Sequence, residues 1–288
     1  VTSAERLKAA LAVFAAVASV VVTVAAALGD RQGPARCPEG LSAQGARCCG
    51  LGQRVSAGRC VGKPLACAAT QTLTPDGCVA PPRRVAYPGG KALLGAPDWE
   101  GHEARVQTSG NVAPFELDAY EVTIARYQAC ASAHACDALP STGEAGEPVR
   151  SLTPEQAETF CRFVGGHVPT GSEWVLAAMG RDARRFAWGS TGLVCRRAAY
   201  GMLHGPCADD ASGPELAGSR PDGESPEGAF DLAGNVAEWT READGYVARG
   251  GSFRSTNAGE LKSWAAERTG PRVDVGFRCA YPPRSGER

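Results

Sequence analysis

The sequence has no surplus of charge of either sign. Thirty Lys+Arg face 31 Asp+Glu, for a net charge of −1. Nothing in that balance would hold a phosphate backbone, so nucleic acid is not an expected partner. Histidine is scarce: His102, His134, His167 and His204 are the only four, widely spread, and each reads as a surface or loop residue. No Cys-x2-Cys occurs in the cysteine-rich segment 31–84, which also lacks histidine, so a zinc site there is disfavoured. No Gly-x-Ser-x-Gly elbow is present, which argues against a Ser–His–Asp hydrolase. Lysine is limited to Lys8, Lys63, Lys91 and Lys262; the dominance of Arg with abundant Ala and Gly suggests a GC-rich bacterial genome.

What is present is apolar residues, glycine, proline and cysteine. A hydrophobic fraction of 43% excludes a wholly disordered chain, while 36 Gly and 20 Pro point to a loop-rich protein rather than a helical bundle. All 12 cysteines follow residue 36, too many for a reducing compartment.

Ala9 to Gly29 is uncharged and almost wholly apolar, and Arg6 and Lys8 precede it. About 20 such residues span a bilayer core. Residues 1–30 are therefore expected to be a transmembrane anchor, or alternatively a signal segment cleaved near Ala25-Ala26-Ala27 to release a secreted protein. The rest of the chain is expected in the periplasm or outside the cell.

Residues 31–84 carry Cys37, Cys48, Cys49, Cys60, Cys67 and Cys78 as three Cys-x10-Cys units, each with Gly near its closing cysteine. About 50 residues bury too small a core to stand alone, so disulfides are expected to staple the module. One bridge per unit is the simplest of 15 connectivities. Pro81-Pro82-Arg83-Arg84 reads as a linker.

Residues 85–288 form the main domain. Thr153-Pro154-Glu155-Gln156 and Thr170-Gly171-Ser172-Glu173 are capping boxes. The first opens a helix through Ala157, Phe160, Cys161 and Val164 that ends at Gly165-Gly166. The second opens one through Trp174, Ala177 and Ala178 that stops near Gly180. Thr123 caps a third helix over Ile124 to Cys130, and Phe115 to Val122 suits a strand. After residue 180 the chain reads mostly as loop. The class is α+β with individually weak strands. Cys130–Cys136 and Cys195–Cys207 are close enough in sequence to be local pairs; free buried thiols are the alternative.

The main domain resembles the formylglycine-generating enzyme (sulfatase-modifying factor) family. The resemblance rests on motifs in the family's order. They are Leu94-Gly95; Tyr120-Glu121-Val122-Thr123 with Tyr127; Phe160-Cys161; Val168-Pro169-Thr170 with Glu173-Trp174; Ala187-Trp188-Gly189; Gly228-Ala229-Phe230-Asp231-Leu232-Ala233-Gly234-Asn235-Val236-Ala237-Glu238-Trp239; Arg249-Gly250-Gly251-Ser252; and Gly276-Phe277-Arg278-Cys279. It implies a C-type-lectin-like fold and a Cys161–Cys279 disulfide. A second family disulfide is lost, with Ala178 and Trp264 near its positions.

Family enzymes oxidise a client sulfatase cysteine to formylglycine with oxygen and copper held by two cysteines; soft thiolates suit Cu(I). Here Ser255 and Glu260 stand where those cysteines are expected, no cysteine lies between Cys207 and Cys279, and Ala237 replaces an aromatic of the family's site. Copper is therefore not expected. Relatives that are iron-dependent sulfoxide synthases need a histidine-rich site that four scattered histidines do not supply. The resemblance also implies one structural calcium, held by side chains of Asp231 and Glu238 and backbone oxygens of Gly234 and Val236; the alternative is that both carboxylates satisfy turn amides.

These readings lead to an envelope protein whose main domain is a non-catalytic binding or scaffolding pseudoenzyme, with a protein or glycan ligand on its loops, above all 180–226. The rival is a family enzyme with altered chemistry, for which Ser252, Ser255 and Glu260 would line the pocket.

Overall fold

A computed structural model describes residues 37, 41–44, 47–56, 59–67, 71–75, 77–94, 107–140, 143–205, 207 and 213–284. The apolar run 9–29, expected as the anchor, lies outside the described residues. Among the described residues no helix is long and apolar enough to cross a membrane. Residues 36–288 form one compact unit.

The cysteine-rich segment is a row of three antiparallel hairpins. They are β1 (Leu41–Gln44) with β2 (Arg47–Gly50), β3 (Arg54–Ser56) with β4 (Arg59–Val61), and β5 (Thr72–Thr74) with β6 (Gly77–Val79). The second and third are closed by Cys49–Cys60 and Cys67–Cys78, each spanning 11 residues as the repeat suggested. Cys37 is disulfide-bonded; the side chain of Cys48, its expected partner, lies outside the described residues. The module packs on the main domain. The Gln53 amide donates to Glu144 at 3.3 Å, Gln71 donates to the Ala217 carbonyl at 3.2 Å, and Gly146 sits so close to the Cys78 carbonyl that a Cβ could not fit. The expected linker is structured where it ends. Arg84 opens β7 (Arg84–Tyr87) and stacks 3.4 Å over the Tyr281 ring.

Among its described residues the main domain has two small sheets, a separate hairpin and three α-helices. β7 pairs with β10 (Phe115–Asp118), which pairs with β15 (Ala280–Tyr281). β8 (Gly90–Leu94) and β9 (Gln107–Val112) make a separate hairpin. The strand expected over 115–122 ends at Asp118, because the chain then turns Glu121 into the core. The second sheet runs β13 (Ala266–Glu267), β12 (Gly245–Arg249), β11 (Ala237–Glu242), β14 (Val275–Gly276). These short strands interrupt a stretch that is otherwise mostly loop after residue 180, as expected.

Helices α1 (Ile124–Ser132), α2 (Pro154–Phe163) and α3 (Gly171–Met179) start where their caps predict. Thr153 Oγ1 accepts from the Gln156 amide while Gln156 accepts from the Thr153 amide at 2.9 Å; Thr170 and Glu173 repeat the exchange at 3.2 and 2.8 Å. Each satisfies two amides that a helix start would leave unpaired. Burial holds Glu173 up, but the His167 ring 3.1 Å away and the Thr170 amide outweigh it and set its carboxyl below the usual range.

Three apolar clusters hold the frame. α3 packs Trp174, Val175 and Ala178 against Tyr87, Phe115, Leu117 and Leu232. Trp264 packs against the same cluster, to which Ala178 also belongs. α1 and α2 pack Tyr127, Phe160 and Cys161 on Trp239, Phe277 and Cys279, with the Cys161–Cys279 bridge inside. Between residues 186 and 207, Phe186, Tyr200 and Met202 gather on Phe253 and Leu261, tied by Cys195–Cys207. Cys130–Cys136 closes the end of α1. No described cysteine is free.

Candidate functional site: a thiol-free cleft above a buried ion pair

The chain turns sharply after β12. Gly250 and Gly251 have φ of +88° and +66°, where a side chain is strained. A Cβ on Gly251 would lie 2.9 Å from both Ser255 Oγ and the Glu260 carbonyl. That turn draws Ser252, Ser255 and Glu260 to one cleft of about 1120 Å³, so the three residues expected at the pocket do line it. Ala237, Trp264, Arg272 and Asp274 line it as well.

Ser252, Ser255, Arg272 and Asp274 in the cleft are all hydrogen-bonded to protein partners, whereas the buried Nε of Arg249 has none. Ser252 Oγ donates to Asp274 Oδ2 at 2.7 Å and accepts from the Arg254 amide at 3.2 Å. Ser255 Oγ accepts from the Ser252 amide at 3.0 Å. Arg272 holds Asp274 at 3.0 Å and Glu267 at 2.7 Å. Asn257 donates to the exposed Glu260 carboxylate. Ser252 thus faces a carboxylate that is itself pinned by a guanidinium, and no histidine lines the cleft.

A hydroxyl and a hard carboxylate do not make a Cu(I) site, which wants two soft thiolates. The residues present do not fit copper. Among the described residues the histidines do not gather into the histidine-rich site that the resemblance raised for iron. His167 is committed to Glu173, His134 and His204 do not line the cleft, and His102 lies outside the described residues.

Strand alternation links this cleft to the core. Ala237 faces the cleft, and its neighbour Glu238 points the other way, where it is 1% exposed. There Arg278 donates to Glu238 from Nε at 2.7 Å and from Nη2 at 2.6 Å, while Trp174 Nε1 donates to Glu238 Oε2 at 2.7 Å. The other Arg278 donors go to the carbonyls of Asp118, Ala119 and Phe230. All five guanidinium N–H groups are used, as a fully buried arginine requires.

Glu238, one of the residues expected at a calcium, has both its oxygens hydrogen-bonded, to a guanidinium and an indole. Asp231 Oδ2 accepts from the Gly218 amide at 2.6 Å, with Asp231 itself at φ +56°. The Val236 amide donates to Glu121 at 3.0 Å, and Gly234, at φ +88°, is wedged against the Ala199 carbonyl. Among the described residues no group of three or more His, Cys, Asp or Glu could hold a metal. Turn-amide satisfaction, the alternative reading, describes Asp231.

One further acid was missed in sequence. Glu121 is fully buried, accepting from Asn235 Nδ2 at 2.6 Å as well as from Val236. Burial raises its carboxyl well above the usual range, with Asp231 and Glu238 adding to the effect against Arg278. Burial likewise pushes Asp231 up to about 6, partly offset by the Gly218 amide and Arg278. A charged residue inside the apolar run Val275-Gly276-Phe277-Arg278-Cys279-Ala280-Tyr281 was the signal that a buried counter-ion had to exist.

The sequence profile of the Sulfatase-modifying factor enzyme 1-like domain family matches residues 70–282. The chain belongs to this family. Curated relatives include hercynine oxygenase of Mycolicibacterium smegmatis, 37% identical over 98 residues, which are 33% of this chain and 21% of that protein. Formylglycine-generating enzyme of Mycobacterium tuberculosis is 32% identical over 103 residues, 33% of each chain. The chain thus spans only a fifth to a third of these relatives. Among solved structures, Treponema denticola variable protein 1 aligns with a TM-score of 0.56 at 20% identity, covering 75% of this chain and all of that one. PvdO from Pseudomonas aeruginosa aligns with a TM-score of 0.56 at 18% identity, covering 70% and 95%. At such identities the likeness concerns the fold alone, and it bears out the α+β formylglycine-generating-enzyme-like fold.

Proposed function

We propose that this protein is a membrane-anchored, extracytoplasmic member of the family whose domain binds or scaffolds a partner rather than oxidising one. The observation that carries the reading is the cleft floor. Ser255, Glu260 and Ala237 stand where the family resemblance puts two thiolates and an aromatic, and the described cysteines are tied in disulfides. Those disulfides also favour an oxidising compartment, and the apolar run 9–29 suits an anchor. The ligand is a protein or glycan held by the cleft and the loop 180–226, since loops on a fixed frame are where binding residues collect. The test is incubation of the purified full chain with a cysteine-containing sulfatase peptide, with and without copper, followed by mass spectrometry. An unchanged peptide mass is expected; conversion of the cysteine overturns the reading.

A second reading, a family enzyme with a non-standard site, is favoured by one feature, the buried Ser252–Asp274 pair in the cleft. It requires a peptide modification that Ser252→Ala abolishes.

A further inference from the structure

The cysteine-rich module exposes apolar side chains where a stapled module would be expected to hide them. Leu65 is 76% exposed and Leu51 45%. They belong to one tip. Leu51 bridges Ala66, the Leu65 amide donates to the Leu51 carbonyl, and a Cβ on Gly52 would lie 2.8 Å from Leu65 Cγ. Lys63 and Arg54 are exposed close by in sequence, two residues before Leu65 and three after Leu51. Between residues 31 and 79 six basic residues face two acidic ones, whereas the whole chain is balanced. Only seven residues separate Gly29, the end of the apolar run, from Cys37. Fully extended they reach about 25 Å, so a chain anchored by residues 9–29 holds this module beside the bilayer.

We infer that the Leu51–Leu65 tip is a docking surface for an anionic phospholipid membrane: the two leucines enter the headgroup boundary while Lys63 and Arg54 meet lipid phosphates. Apolar side chains flanked by cations are what an interfacial contact requires, and long basic side chains can keep their charge at headgroup level while the leucines go deeper. Docking would fix the module, and with it the main domain packed on it, against the membrane. The inference rests on the anchor reading only for the closeness of the bilayer.

The experiment separates the two. The full chain and its Leu65→Trp variant are mixed with phosphatidylcholine vesicles, with or without phosphatidylglycerol. Flotation reports membrane attachment, and quenching by bromine-labelled lipid reports depth at position 65. Flotation on both vesicle types, with quenching of the added tryptophan on anionic vesicles, is expected. In the Leu65→Trp background, Lys63→Gln and Arg54→Gln are each expected to lower the docked-to-free ratio about fivefold. Flotation without extra quenching overturns the docking surface and leaves the anchor standing. Flotation on anionic vesicles alone, with quenching, supports the surface and removes the anchor. Absence of flotation on both overturns both.

Discussion

Arg278→Met is the most informative single change. Methionine roughly fills the aliphatic volume but removes all five donors. It leaves the Glu238 carboxylate buried with only Trp174 for company, and it strips a partner from the carbonyls of Asp118, Ala119 and Phe230. Breaking one side of a buried pair costs about 3–5 kcal/mol, against a total stability of about 5–15 kcal/mol for a domain. The variant should therefore unfold at much lower urea, followed by tryptophan fluorescence with disulfides intact. Glu238→Gln/Arg278→Met should recover part of the loss, because a neutral amide still accepts from Trp174 and no lone charge remains buried. A loss for Arg278→Met under about 1 kcal/mol, or a double variant equal to the sum of the singles, would refute the view that this pair organises the core.

Asp231 supplies a pH test. Its folded value of about 6 lies above its ordinary 3.8, so the folded state holds an extra proton between those values. Asp231 therefore weakens the fold above pH 6, and that penalty fades as pH falls from about 6 to about 4. Asp231→Asn should gain up to about 3 kcal/mol at pH 8 and nothing at pH 4, since asparagine tolerates the positive φ and can still accept from Gly218; loss of a calcium-dependent rise in melting temperature would instead support the calcium expectation. Cys161→Ala/Cys279→Ala opens a bridge spanning 118 residues and should cost about 5 kcal/mol by chain entropy, read from non-reducing urea unfolding. Gly251→Ala should cost about 2 kcal/mol, from its left-handed backbone and the crowded Glu260 carbonyl; a melting temperature unchanged from the parent would show that the cleft turn is not as tight as described.

The helices were legible because their signals are local. Thr123, Thr153 and Thr170 each satisfy their own first turn, whatever the rest of the chain does. The bridges Cys49–Cys60 and Cys67–Cys78 were legible for the same reason, through an 11-residue spacing, although the hairpins they close were not. The second sheet was not, because β11 carries Glu238 and Arg241 and β12 ends in Arg249. A charged strand with no alternation hides its burial, and only Asp244-Gly245 between them marked a hairpin. The cleft residues were placed correctly through the Gly250-Gly251-Ser252 motif. The partner of Glu238 was not legible because a carboxylate near Gly234-Asn235 looks the same in sequence whether it meets a cation, an amide or an arginine 40 residues later. Asp274 was missed because its partner Ser252 lies 22 positions away and neither residue announces the other.

The claim on which the functional reading rests is that no thiol pair is available to hold copper. It is tested most directly by denaturing the full chain from an oxidising compartment, alkylating without reductant, and weighing it. Zero adducts are expected, with all 12 cysteines paired. Two adducts would reveal a free thiol pair, contradict the binding reading and reopen oxidase chemistry.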